Sequence, residues 1–343
     1  PLLTANVLLG RSPLRISFVG GGTDLEEYHK KYDGYSISAT IDKFAFVAAK
    51  LRTDNLFQAF SPDYHTYFSS KKLQNIRPEF GHAIAITCLQ EMKFSNGIDL
   101  FYSADVAPGS GLGASSSLAS NIVNIILKFQ KKKWNKHKMA MEVFRIGHDV
   151  LKWGIGKQDE FAAVFGGFNL YKFSKNNVTV TPIRLNKSTL REFENNSMLF
   201  FLGERKPSSE ILKIQQKNIE RLNNRTISAL HKVSNLTLDM RDAFRNNDLE
   251  RFESILHEGW EQKKQFARGV SNKKIDSICK IVESNGAKSM KVTGSGGGGH
   301  LFVYTGSKKH QKIIRALKKI GIPRVEFKYK DTNTMVQDMK DLE

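Results

Sequence analysis

A chain of 343 residues with 40% hydrophobic and 10% aromatic content can bury one large core or two medium ones, which excludes a disordered or collagen-like polymer. The 53 Lys and Arg outnumber the 34 Asp and Glu and leave a formal charge of +19. The bases are spread along the chain, and the densest run, residues 128 to 138, has no aromatic-interleaved stacking platform for nucleic acid beyond Trp134.

Cys88 and Cys279 sit far apart and support neither a disulfide framework nor a metal knuckle, which points to a reducing, cytoplasmic setting. No apolar run approaches the roughly 18 residues of a membrane span. The apolar start "PLLTANVLLGR" has no basic leader and no clear cleavage site, so a signal peptide is not expected.

Along the chain, "PLRISFVGGG" alternates Leu14, Ile16 and Phe18 and stops at glycines, as a strand entering a tight turn does. "DKFAFVAAKL" and "GIDLFYSADV" are further strands. From Ser115 the period changes: Leu118, Ile122, Ile125, Ile126 and Phe129 fall on one helical face, predicting a helix to about Lys132. A second helix is expected from Lys138 to about Trp153, and "GGFNLYKF" and "NVTVTPIRL" return to strand chemistry. From Ser208 to about Gly269 the chain is polar and helical, with Ser208 and Ser209 as caps and Glu210 in the first turn. "GAKSMKVTGSGGGGHLFVY" reads as strand, glycine turn, strand; a Lys-rich helix near residues 307 to 320 and a strand "RVEFKYK" follow. The mixture is α+β, with a boundary near residue 186 dividing 1–185 from 186–343.

The stretch "VAPGSGLGASSSLAS" carries Gly109, Gly111 and Gly113, then Ser115, Ser116 and Ser117 at the start of a helix. Glycines let backbone N–H groups approach a ligand, and a helix start adds free N–H groups and a positive dipole end, which together favour an anion. No Lys follows Gly113, so the Walker pattern fails. Gly109, Gly111 and Ala114 formally satisfy G-x-G-x-x-G/A, yet no acid lies between Ser115 and Met141 to take a ribose. A phosphate cradle is the reading that fits.

Two more glycine turns follow strands: Gly20, Gly21 and Gly22 ahead of Thr23 and Asp24, and Gly294 with Gly296 to Gly299. One such cluster is ordinarily just a turn; three suggest segments converging on one ligand. In "GIGKQDEFAAVFGGFN", Asp159 caps a helix on local grounds, and Lys157 close by would suit a carboxylate that orients a hydroxyl.

The ordered triple "PLRISFVGGGTD", "PGSGLGASSS" and "KVTGSGGGGHLF" resembles the GHMP kinase superfamily of galactokinase, homoserine kinase, mevalonate kinase and phosphomevalonate kinase, over roughly residues 11 to 330. "RSPLRISFVGGGTDLEEY", "TIDKFAFV" and "GKQDEFAAVFGGFN" are most similar to the branch acting on D-glycero-D-manno-heptose 7-phosphate; a fucose-type branch shares the glycine-rich first motif. The resemblance implies an N-terminal α/β domain, a C-terminal ferredoxin-like domain, and an active site in the cleft between them. It implies ATP on Pro108, Gly109, Ser110, Gly111, Leu112, Gly113, Ala114, Ser115, Ser116 and Ser117, with Mg²⁺ on Ser115. Asp159 and Arg15 would be catalytic. Gly20, Gly21, Gly22, Thr23, Asp24, Lys157, Gly296, Gly297 and Gly298 would line the substrate region. The expected partners are ATP and a sugar phosphate, with neither nucleic acid nor membrane; a homodimer is left open.

Two departures matter. Gly21 and Gly22 stand where galactokinase has Glu and His, which argues against galactose. Gly147 and His148 stand where a second acidic Mg²⁺ ligand is expected; Asp149 and Glu142 are off register. A sugar- or ATP-binding regulator without chemistry is the alternative this second departure raises.

Overall fold

The computed structural model describes residues 7–78, 81–203 and 208–342. The first sheet is built from β1 (Val7–Val19), β2 (Gly34–Leu51), β3 (Phe57–Ser61), β4 (Thr66–Ser70), β5 (Ile98–Ala104), β6 (Phe168–Phe173) and β7 (Val178–Pro182). The second holds β8 (Ser197–Gly203), β9 (Ser289–Val292), β10 (Gly299–Tyr304) and β11 (Arg324–Val325). The last strand, β12 (Met335–Asp338), returns to pair with β1, so sheet membership does not follow a single division at residue 186. The helices are α1 (Glu26–His29), α2 (Ala83–Glu91), α3 (Ala114–Phe129), α4 (Lys136–Arg145), α5 (Gln158–Phe165), α6 (Lys187–Asn195), α7 (Ser208–Glu220), α8 (Asn224–Arg245), α9 (Leu249–Lys263), α10 (Lys273–Ser284) and α11 (His310–Lys319).

The first sheet runs β12-β1-β2-β5-β3-β4, with β6 and β7 continuing from β2. The pairs are antiparallel except β3 with β5. The second sheet runs β11-β8-β10-β9. Counted within that sheet the order is 4-1-3-2, with α10 before the second strand and α11 before the fourth, which is the ferredoxin-like βαββαβ arrangement expected from the resemblance.

β1 explains the join. Its outer half alternates buried and exposed residues, whereas every residue from Ser12 to Val19 is buried, because both faces are covered. Ile125 and Ile126 of α3 belong to the core on one side. On the other, Leu14, Ile16 and Phe18 share a core with α8, α9 and β10. The Phe18 ring meets Phe193, Phe252 and Phe302 at 5.5, 5.8 and 5.5 Å, so the two halves share one aromatic cluster. Lys291 of β9 crosses the same join: its ammonium donates to Phe18 O at 2.9 Å, and burial pulls its pKa well below the usual lysine value.

Several expectations shift. The helix expected to reach Trp153 ends at Arg145 and continues as a π-helical turn, Ile146–Val150, which brings Gly147 against Ile155. "RVEFKYK" pairs with β8 at Arg324 and Val325 alone, then crosses to β2 through a single antiparallel bridge between Tyr329 and Ile41, while Phe327 and Tyr329 pack on the shared core. The side chains of Ser208 and Ser209, expected as caps, lie outside the described residues, as do the first six residues of the apolar start. Cys88 and Cys279 are buried and free. Among the described residues no helix is long and apolar enough to cross a membrane.

Candidate active site

The glycine–serine loop leads straight into α3. Gly109, Gly111 and Gly113 have φ of +76°, +77° and +82°, so their every-second-residue spacing is a backbone requirement. Gly113 is the N-cap and offers no side-chain cap, which leaves the first N–H groups of α3 open to a ligand. Thr293 locks the loop from behind: a Cβ on Gly111 would lie 2.8 Å from its Oγ1. His300 Nδ1 lies 2.8 Å from Ser110 O, so the third glycine motif braces the second.

Arg15 projects from β1 beneath this loop. Its Nε and Nη2 donate to Asp159 Oδ1 and Oδ2 at 2.8 and 2.5 Å, and its Nη1 donates to Gly111 O at 2.9 Å. A planar guanidinium in this bidentate pose fixes the carboxylate's orientation as well as its place. Asp159 sits in the first turn of α5 and remains partly open to solvent, while Arg15 is nearly enclosed, at 30% and 4% side-chain exposure.

Asp24 follows the first glycine turn. Its Oδ1 accepts from Gly22 N at 2.8 Å and its Oδ2 from Gln158 N at 3.2 Å. Burial pushes its pKa up against the pull of the Gly22 N–H, and the Asp159 charge adds to the rise. Thr23 lies behind the wall, stapling the turn through Gly20 O and Tyr35 O, each at 2.8 Å.

One cavity of about 830 Å³ brings together Arg15, Gly21, Gly22, Asp24, Pro108, Gly109, Ser110, Gly111, Gly113, Ala114, Ser115, Ser116 and Asp159. Other expected positions are used differently. Leu112 is buried in the shared core, and its carbonyl accepts from Arg15 N. Ser117 turns inward and donates to Pro13 O at 2.7 Å, tying α3 to β1 rather than meeting a phosphate. Lys157 pairs with Glu26 at 3.3 Å and lies over the Phe144 ring, so the cation beside Asp159 is Arg15, not Lys157. Gly20, Gly296, Gly297 and Gly298 are absent from the cavity wall; at the third turn Gly294 and Ser295 line it. Gly296 instead packs on Val270, where a Cβ would meet the carbonyl at 2.5 Å.

Reading the sequence missed Glu160, Gln215 and Lys263, all on the wall. Ser116 Oγ donates to Glu160 Oε1 at 2.8 Å, and Oε2 is buried without a partner. Burial, then the Asp159 charge, pushes the Glu160 pKa up to about 8. Its position directly after Asp159 was the available signal. Glu142 and Asp149 serve elsewhere, paired with Arg145 and His148. Lys263 closes α9 and donates to Gly294 O.

The arrangement can hold an anion at a helix start, a carboxylate beside it, and hydroxyl acceptors at Asp24. The GHMP kinase N-terminal domain model matches residues 80–167 and the C-terminal domain model residues 240–322. The chain belongs to the GHMP kinases. It is therefore a phosphotransferase with an alcohol group as acceptor, in a family whose donor is ATP. This GHMP kinase is 29% identical over 319 residues to a D-glycero-α-D-manno-heptose 7-phosphate kinase of Campylobacter jejuni, covering 90% of this chain and 92% of that one. It superposes on a crystal structure of a C. jejuni protein described as a candidate sugar kinase with a TM-score of 0.79 at 27% identity, covering 97% and 98% of the two chains. A heptose 1-phosphate kinase structure from Bacteroides thetaiotaomicron gives the same TM-score at 22% identity, covering 96% and 98%, and speaks to the fold alone.

Proposed function

We propose that this kinase transfers the γ-phosphoryl group of ATP to the anomeric hydroxyl of D-glycero-D-manno-heptose 7-phosphate, giving the 1,7-bisphosphate. The observation that carries the chemistry is the bidentate Arg15–Asp159 pair set against the start of α3. The heptose phosphate is supported by the near full-length likeness to the C. jejuni enzyme.

In this reading the triphosphate rests on residues 108 to 116, where N–H groups and the α3 dipole meet its negative charge. Asp159 accepts the proton of the attacking hydroxyl as the new O–P bond forms and the bond to the β-phosphate oxygen breaks. Arg15 holds Asp159 in register and adds positive charge beside the transferred group. Phosphoryl transfer is dominated by such positioning and charge neutralisation.

The residues present fit a magnesium ion. Ser115 is exposed at the helix start, and the unpartnered Glu160 Oε2 supplies a buried hard oxygen beside Ser116. Ser115 and Glu160 would hold it; when bound it supplies charge neutralisation of the phosphates. Among the described residues no group of three His, Cys, Asp or Glu is placed to hold a metal ion by itself, so oxygens of the nucleotide and water would complete the shell. Lys263, at the third turn beside Gly294, places a second cation on the wall, which suits an acceptor that is itself anionic.

ADP release measured with heptose 7-phosphate, galactose, fucose and mannose tests the reading. Turnover with the heptose phosphate supports it. Turnover only with an unphosphorylated sugar overturns the substrate, and nucleotide binding with no ADP release from any acceptor favours a regulator.

A further inference from the structure

α7 carries a run of amides with unequal fates. Gln216 Nε2 donates to Glu27 Oε1 at 2.9 Å, and Asn218 Nδ2 donates to Phe266 O at 3.0 Å. Gln215, next to Gln216 in the chain, has a different fate. Its side chain is 3% exposed, it reaches the cavity wall, and its Nε2 has no partner. An unmade amide hydrogen bond in a buried site is costly, and such groups are rare unless a ligand or water completes them.

The first glycine turn keeps room for this amide. Gly22 has φ of +103°, and a Cβ there would lie 2.6 Å from Gln215 Nε2 and 3.0 Å from the Phe266 ring. The backbone N–H of the same Gly22 donates to Asp24 Oδ1. One residue thus touches a buried amide donor on one side and a buried carboxylate acceptor on the other. A sugar hydroxyl both donates and accepts, so a donor and an acceptor flanking one glycine match its two capacities.

We infer that Gln215 is a specificity residue for the acceptor, donating its amide N–H to a hydroxyl of a polyhydroxylated sugar whose proton is taken up in a hydrogen bond by Asp24. The inference rests on the kinase reading above and adds an acceptor contact from the C-terminal half.

The full chain carrying Gln215→Leu, which removes the donor and keeps the bulk, and Gln215→Ala should be assayed with MgATP and heptose 7-phosphate. Both variants should raise the acceptor KM about tenfold, the scale of a lost hydrogen bond in a buried site. The KM for ATP should stay within about twofold, and the melting temperature should not fall in the leucine variant. An acceptor KM unchanged in both variants, or equal rises for ATP and acceptor, overturns the inference and leaves Gln215 as packing. If wild type uses a different sugar, that sugar replaces the heptose in the same comparison, so failure of the substrate assignment is read from wild type alone. Wild type that binds no sugar in calorimetry overturns both.

Discussion

The Ser116 hydroxyl donates to Glu160 Oε1 at 2.8 Å while the other oxygen of that buried carboxylate has no protein partner. A carboxylate held by one oxygen and open at the other is half of a cation site. Burial holds the Glu160 pKa up to about 8, and Glu160→Gln keeps the shape but removes the proton the group would give up, and the negative charge it would gain, on binding a cation. We expect Mg²⁺-dependent ATP affinity to fall about tenfold or more, with ATP affinity in EDTA unchanged and no loss of melting temperature in the free protein. Calorimetry with and without Mg²⁺ checks this; equal losses in the two conditions would contradict it.

Asp159→Asn retains the size of the side chain but cannot accept the hydroxyl's proton. We expect kcat to drop by about 10² to 10⁴. Arg15, almost fully enclosed, then loses its ionic partner, so a destabilisation on the order of 2 kcal/mol should accompany it. Nucleotide binding should survive, as a fluorescent ATP analogue would report. Retained turnover would remove Asp159 from the chemistry.

The glycines of the site are not equivalent. Gly111→Ala places a methyl 2.8 Å from Thr293 Oγ1 at a φ of +77°. It should cost about 1–3 kcal/mol and raise the KM for ATP. Gly21→Ala meets nothing closer than Ser17 Oγ at 3.8 Å, so its stability should be close to wild type. Denaturant unfolding of the two variants side by side checks the contrast.

His29 sets an acid limit on stability. It is buried, neither ring nitrogen has a partner, and burial, then the Lys157 charge, lowers its pKa from 6.5 to about 4. The unfolded chain therefore binds a proton more readily than the folded one. This contribution is intact above pH 6.5 and is lost as pH falls toward 4, by about 2 kcal/mol at pH 5. In His29→Leu the loss of stability between pH 7 and pH 5 should be smaller by about that amount. An identical slope in the variant would show that other groups govern acid unfolding.

Much of this architecture could be read from local pattern. The alternation ending at Gly20 marked β1, the helical spacing after Ser115 marked α3, and the three glycine turns lie where they meet, with His300 and Thr293 of the third touching the second. What stayed hidden depends on tertiary placement. β12 is four residues whose partner is β1, more than 300 positions away in sequence, so no local period announces it. In sequence Lys157, two residues away, is the evident neighbour for Asp159; the fold sends Lys157 to Glu26 and brings Arg15 to Asp159 from 144 positions away. Gln215 lies in an unremarkable polar helix and matters because Gly22 and Asp24 arrive beside it.

Transfer of phosphate to the anomeric oxygen of heptose 7-phosphate leaves a distinctive product. Phosphorus NMR of the product formed with MgATP tests it most directly. We expect a second sugar phosphorus coupled to the anomeric proton, appearing together with ADP. A phosphate on any other carbon, or product formed only from an unphosphorylated sugar, would contradict it.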